Sequence, residues 1–294
     1  MIYNLLAKIL FGKLLSRPDI SKAYKMIGPE DSWYNTIKTV HDSLAEIQKL
    51  PHYNLYIKSH DGLDLCGVYY PADEASDKTV ICIHGFGSHA EREWAFPGLF
   101  YHSLGFNVLI PYQRAHGPSE GKSISFGIFE SQDMYEWIKR INKLTPDGTI
   151  LLHGLSMGGG IALQMSATDM AGVKCIIADA PSEGLDYFYS RVSSDVFKSS
   201  GKKVAECAMS SFKKKTGIDP RDYNAKKVVK DSKYPILLSA GSMEKLEDNF
   251  NEIASLNPCE TEMIILDGCN HGNGMYKQTE VYQGKIKEFI SKYM

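Results

Sequence analysis

HGLSMGGG, residues 153–160, lies between the apolar run TILL (149–152) and GGIALQMSAT (159–168), which reads as a helix. Apolar strand, abrupt glycine-rich turn and helix form the setting in which G-x-S-x-G carries chemistry. Gly154 and Gly158 flank Ser156 at that spacing. A serine on so tight a bend is expected in a strained backbone conformation. A side chain at either flanking glycine would collide with the neighbouring strand or helix. The strain lifts the hydroxyl out of the sheet, within reach of a base and a substrate. The competing reading is a nucleotide-binding turn whose amides hold phosphate. It is disfavoured because neither G-x-G-x-x-G nor G-x-x-x-x-G-K-[ST] is present.

Outward from this turn, apolar strands alternate with helical segments. YNLYIKS and LDLCGVYYP, around the turn HDG (60–62), predict a β-hairpin. KTVICIH (78–84), GFNVLIP (105–111), TILLH, VKCIIADAP (173–181), KYPILLSAG (233–241) and TEMIILDG (261–268) read as buried strands. Such alternation implies an α/β fold with a largely parallel sheet covered by helices on both faces. The core is therefore expected over residues 53–181 and 234–294. Residues 182–233 break the rhythm, being far longer than a usual connection. Their helical pattern and their place at the carboxyl ends of the strands predict a lid over a ligand site. The alternative is an extra packing layer with no role in substrate choice.

Residues 1–52 form an N-terminal helical extension. Ile2, Leu5, Leu6, Ile9, Leu10 and Leu14 make an apolar helix face interspersed with Lys8, Lys13 and Arg17. The stretch is too short and interrupted to span a membrane or to serve as a secretory signal. Packing on the domain is favoured over contact of residues 1–17 with a membrane surface. A second helix is expected over residues 29–50, ending before Pro51. Net charge is −2 and neither sign is strongly segregated, so nucleic acid is not an expected partner. The six cysteines have no ligand spacing, Cys82 and Cys175 read as core thiols, and a reduced, cytoplasmic setting is the simplest expectation. No metal or cofactor is expected.

A serine hydroxyl needs a base, most often histidine. In a strand–turn–helix nucleophile site the partners follow in the order serine, acid, histidine. His271, in GCNHGNG, is the one histidine after Ser156. The acid is expected in the loop after PILLSAG, where Glu244 is first in reach and Asp248 is an alternative; Asp179, at the end of the preceding strand, is another. Charge developing on the attacked carbonyl oxygen needs preorganised donors. The backbone N–H groups of Met157 and Phe86 are the candidates, with Gly85 and Gly87 letting the second loop turn sharply. His84, just before that turn, is expected to bond locally. Tyr187, Phe188, Tyr189 and Phe197 in the insert are candidate pocket residues, or lid core.

Together these residues resemble the α/β-hydrolase superfamily, and within it the lidded bacterial serine hydrolases related to prolyl-oligopeptidase-like esterases and acylaminoacyl peptidases. The resemblance covers roughly residues 53–293. HGFGS (84–88) is similar to the oxyanion loop, GLSMGG (154–159) to the nucleophile elbow, GCNHG (268–272) to the histidine loop, and RAHGPSEG (114–121) to a structural turn. Two positions depart: Tyr112 stands where an aspartate often precedes the arginine, and Glu244 stands where an aspartate is usual. The resemblance implies an α/β-hydrolase fold with an eight-stranded, mostly parallel sheet and a helical lid. It also implies a cofactor-independent hydrolase and does not fix the substrate; the first expectation is a serine hydrolase acting on a small acyl ester or short peptide-like substrate. The alternatives on the same residues are a serine peptidase, an aminoacyl amidase or an acyltransferase. A non-catalytic ligand-binding relative is a different class. The 52 residues ahead of the hairpin are too few for a propeller, which tilts the expectation toward esters.

Overall fold

In the computed structural model, which describes residues 2–19 and 33–294, eight strands join into one sheet. They are β1 (Tyr53–Lys58), β2 (Asp64–Tyr70), β3 (Lys78–Ile83), β4 (Asn107–Pro111), β5 (Thr149–Leu155), β6 (Val173–Asp179), β7 (Ile236–Gly241) and β8 (Thr261–Leu266). Their order is β1-β2-β4-β3-β5-β6-β7-β8. β1 and β2 form the expected antiparallel hairpin, β2 also runs antiparallel to β4, and every other pairing is parallel.

The unbroken apolar runs have a simple cause. Successive side chains of a strand point to opposite faces, and here both faces are covered. Ile81 and Ile83 of β3 join one core while Val80 and Cys82 join the other. The helices are α1 (Ile2–Leu14), α2 (Ile37–Ile47), α3 (Ala90–Ser103), α4 (Glu130–Leu144), α5 (Met157–Met165), α6 (Leu185–Phe197), α7 (Gly201–Thr216), α8 (Ala225–Val228), α9 (Glu247–Leu256), α10 (Gly274–Lys277) and α11 (Thr279–Tyr293). Trp137 of α4, Ile161 of α5 and Phe250 of α9 fill the first core. Ile47 of α2, Trp94 and Tyr101 of α3, and Phe289 of α11 fill the second.

The long interval between β6 and β7 holds α6, α7 and α8. α1 packs one face against it through Ala7 and Phe11, with Phe11 edge-on to Tyr189 at 4.5 Å. The helix expected over 29–50 is shorter. α2 begins at Ile37 after a single 3₁₀ turn, Tyr34–Thr36, and residues 29–32 lie outside the described residues. It ends at Ile47 in a turn before Pro51, whose ring disfavours helix at the preceding residue. α1 packs against α7, so lysines remote in the sequence are carried on adjoining helices. Cys82 and Cys175 are buried thiols. Among the described residues no helix is long and apolar enough to cross a membrane.

The glycines around the β5–α5 turn allow very close packing. A Cβ on Gly158 would stand 1.9 Å from the Ile83 carbonyl oxygen, and one on Gly154 would stand 2.2 Å from that of Gly158. Gly284 in α11 has open space instead. Gly158→Ala is expected to lower unfolding free energy by at least about 1–3 kcal/mol, the usual cost of overpacking. Gly284→Ala should raise it by about 0.5–1 kcal/mol through reduced backbone entropy. Urea titration of both variants checks the contrast.

Candidate active site

Ser156 joins β5 to α5 with φ +57° and ψ −115°, a conformation that L-residues rarely adopt. Such a residue persists only where its surroundings over-determine it. Its N–H donates to the Asp179 carbonyl at 2.8 Å, and its carbonyl accepts from Ser182 N–H and Gly160 N–H, each at 3.0 Å. These bonds fix the turn from the neighbouring strand, the insert and the helix it starts. The side chain stays partly open to solvent.

His271 and Glu244 come together as the sequence predicts. His271 Nδ1 lies 2.6 Å from Glu244 Oε2. The other carboxylate oxygen accepts the Gly241 N–H at 3.0 Å. The longer glutamate therefore folds back onto the end of its own strand, which absorbs the extra methylene. The two loops are joined directly: Met243 N–H donates to the Cys269 carbonyl at 3.1 Å, and Gly268 N–H to Ser242 Oγ at 3.0 Å. Gly241 packs so close to Cys269 that a Cβ would meet its carbonyl oxygen at 2.1 Å. Gly272 sits against Leu155, next to Ser156. The Glu244 hydrogen bond raises the His271 pKa above the ordinary imidazole value, against partial burial that lowers it.

The other acids stand elsewhere. Asp248 is exposed on the first turn of α9. Asp179 is buried and engaged in the core, accepting from Tyr282 OH and lying 3.1 Å from His153 Nε2. His153 in turn contacts Tyr101 OH at 2.7 Å. This network holds Asp179 where β6 can anchor Ser156 through its backbone.

The HGFGS loop runs beside Ser156; a Cβ on Gly85 would be 3.4 Å from the serine Cβ. Its backbone is pinned on either side of Phe86. Gly85 N–H donates to Glu93 Oε1 at 2.7 Å, and Gly87 N–H to His116 Nε2 at 3.1 Å. His84 bonds locally: its Nε2 accepts Gln113 N–H at 3.1 Å and its Nδ1 lies 2.8 Å from the Gly85 carbonyl. Burial keeps it neutral by lowering its pKa. Met157 is the first residue of α5, so its N–H has no acceptor within the helix.

The pocket candidates separate. Phe188 stacks on Phe126 at 4.2 Å and lies 5.8 Å from Phe86, at the oxyanion loop. Tyr189 is buried against Phe11. Phe197 is half-buried at the edge of the same core. Tyr187 is exposed, and its OH accepts from Arg191 at 3.1 Å.

The ion pair left open by Tyr112 is made by other residues. Arg114 holds Asp133 through Nε and Nη2 at 2.6 and 2.7 Å, and Asp61 at 2.9 and 3.1 Å. Tyr112 OH instead donates to Glu91 Oε2 at 2.9 Å. The clamp fixes the turn that carries His116. Its guanidinium also fills the space between Asp61 and Asp133, the carboxylates of the His60–Asp61–Asp133 cluster.

Two features had no sequence signal. Glu93 reaches Gly85 because α3 starts under the loop, a relation that spacing does not encode. Phe126 has φ +51°, and Glu130 holds that turn by accepting Ser125 N–H and Gly127 N–H, each at 2.8 Å.

Comparison with known proteins agrees with this fold. A family model described as "alpha/beta hydrolase fold" matches residues 78–209, which include the HGFGS loop and the serine turn. The chain is 24% identical over 258 residues to the uncharacterized protein YqkD of Bacillus subtilis, covering 85% of this chain and 83% of that one. An esterase structure from Pyrococcus furiosus superposes with a TM-score of 0.66 at 20% identity, covering 95% of this chain and 98% of that one. Est1E of Butyrivibrio proteoclasticus, with ferulic acid bound, gives a TM-score of 0.62 at 18% identity and coverage of 81% and 98%. The chain has the α/β-hydrolase fold.

Burial raises the Glu93 pKa to about 7, although Gly85 N–H and His271 favour its charged form. A carboxyl whose folded pKa exceeds its unfolded value of 4.5 stabilises the fold fully below the unfolded value. That contribution is lost as pH rises through the folded pKa. Glu93→Gln keeps an acceptor for Gly85 but cannot ionise. Between pH 5 and pH 7.5 the native chain should therefore lose about 1–3 kcal/mol more stability than Glu93→Gln. Urea unfolding at several pH values measures the difference.

Proposed function

We propose that the chain is a serine hydrolase cleaving a carboxylic ester or related acyl bond through a covalent acyl-enzyme. The observation that carries this reading is the 2.6 Å contact of His271 with Glu244, in loops that close beside the strained Ser156 turn. The α/β-hydrolase fold, and the esterase that shares it, support this reading.

In this mechanism His271 Nε2 takes the Ser156 proton as Oγ attacks the acyl carbon. Glu244 fixes Nδ1 as the protonated nitrogen and stabilises the imidazolium. The oxyanion accepts from Phe86 and Met157 N–H, whose positions are set before substrate arrives. Collapse expels the alcohol, which takes its proton from His271. Water, deprotonated by His271, then attacks the acyl-enzyme, releasing the acid and restoring Ser156. Residues 182–233 act as the lid, and Phe188 with Phe86 and Phe126 forms an apolar wall for the acyl group.

Glu244→Gln is expected to lower kcat on a nitrophenyl ester by about 10²–10⁴-fold, the range for losing the orienting acid. Asp248→Asn should leave kcat unchanged; the reverse pattern would move the acid along the loop. Ser156→Ala and His271→Ala should each remove nearly all turnover. The base must be neutral to accept a proton, so kcat/KM should rise with pH through an apparent pKa above the ordinary imidazole value. In residual Glu244→Gln activity that limb should move to lower pH.

A further inference from the structure

α1 presents two apolar strips. Ala7 and Phe11 are buried against the insert, while Ile2, Leu5 and Ile9 are 64%, 56% and 64% exposed. At 3.6 residues per turn the exposed three form one ridge opposite the buried strip. A surface helix normally turns a polar face to solvent, so a second apolar strip marks contact with something else.

Charge says what kind of surface that is. Residues 2–17 carry Lys8, Lys13 and Arg17 and no acid. α7, packed alongside, carries Lys202, Lys203, Lys213, Lys214 and Lys215 against Glu206. Eight basic side chains against one acid give these two segments +7 in a chain of net −2. Some of this charge is locally engaged: Lys213 pairs with Asp219, Glu206 with Arg221, and Arg17 binds backbone carbonyls. Lys203 Nζ lies over the Tyr3 ring of α1 at 5.5 Å, and Lys13 lines a surface depression with Ile9. Lys8, Lys122 and Lys215 rim the groove between the helices, whose apolar lining includes Phe11 and Phe212.

We propose that the α1–α7 face docks on an anionic lipid bilayer, with Ile2, Leu5 and Ile9 inserted at the acyl boundary and the lysines on the headgroups. An apolar ridge flanked by lysines matches that boundary. A second copy of the chain would bring like charge against like charge. Nucleic acid would use the lysines but leave the ridge in water. Ile9 and Leu10 also border one surface depression with Phe86 of the oxyanion loop, so docking sets the site mouth at the bilayer. The docking does not depend on the proposed reaction, and binding is measured apart from hydrolysis.

The test is flotation of the 294-residue chain with vesicles of phosphatidylcholine alone, or with about one third phosphatidylglycerol. Binding should be at least about tenfold stronger to the anionic vesicles and fall at about 0.5 M NaCl, where surface charge is screened. Leu5→Ser/Ile9→Ser and Lys203→Glu/Lys214→Glu should each lose at least about tenfold while retaining the native circular dichroism melt. Absence of binding, equal binding to both vesicles, or unchanged binding by the ridge variant overturns the proposal. So does a native dimer that the ridge variant converts to monomer, which would assign the face to a second copy. Binding to duplex DNA that survives the ridge substitutions, with none to vesicles, would assign it to nucleic acid.

Discussion

The backbone of Ser156 is the constraint on which the site depends. A side chain at φ +57° is unfavourable by itself, on the order of 1–3 kcal/mol, and stands only because its neighbours leave no alternative. Asp179 and Ser182 bond its backbone from β6 and the segment beyond, while Gly154 and Gly158 let β3, β5 and α5 approach at distances that exclude a Cβ. The parallel sheet is what brings those strand ends to one edge. The serine turn, the HGFGS loop, the Glu244 loop and the His271 loop all issue from that edge.

Around this point the molecule uses hydrogen bonds to aim backbone groups. Glu93 and His116 anchor the amides on either side of Phe86, and the Arg114 clamp on Asp61 and Asp133 steadies the turn that supplies His116. Glu244 divides its two oxygens between Gly241 and His271, so one side chain both closes its strand end and orients the imidazole. Glu130 does comparable work for Phe126, whose ring joins Phe86 and Phe188.

The sheet was readable because its inner strands are buried on both faces and so appear as apolar runs; all eight form, although β8, expected to be buried, is an edge strand and only partly covered. The β5–α5 turn was readable because close approach demands glycine at fixed places. The Glu244–His271 contact followed from chain order and loop position. Glu93, Glu130 and the partners of Arg114 were not readable, since each acts across 3 to 53 positions through packing geometry. Tyr187 was indistinguishable from Phe188 in sequence, but one helical step turns it outward. Charge on α1 and α7 was dispersed in the sequence until folding set the two helices side by side.

In the proposed reaction the strained Ser156 is the nucleophile. Treatment with a fluorophosphonate followed by peptide mass mapping tests that role. One adduct is expected, on the peptide containing Ser156, absent in Ser156→Ala and slowed in Glu244→Gln. An unmodified Ser156 in the folded native chain, or an adduct retained by Ser156→Ala, would rule it out.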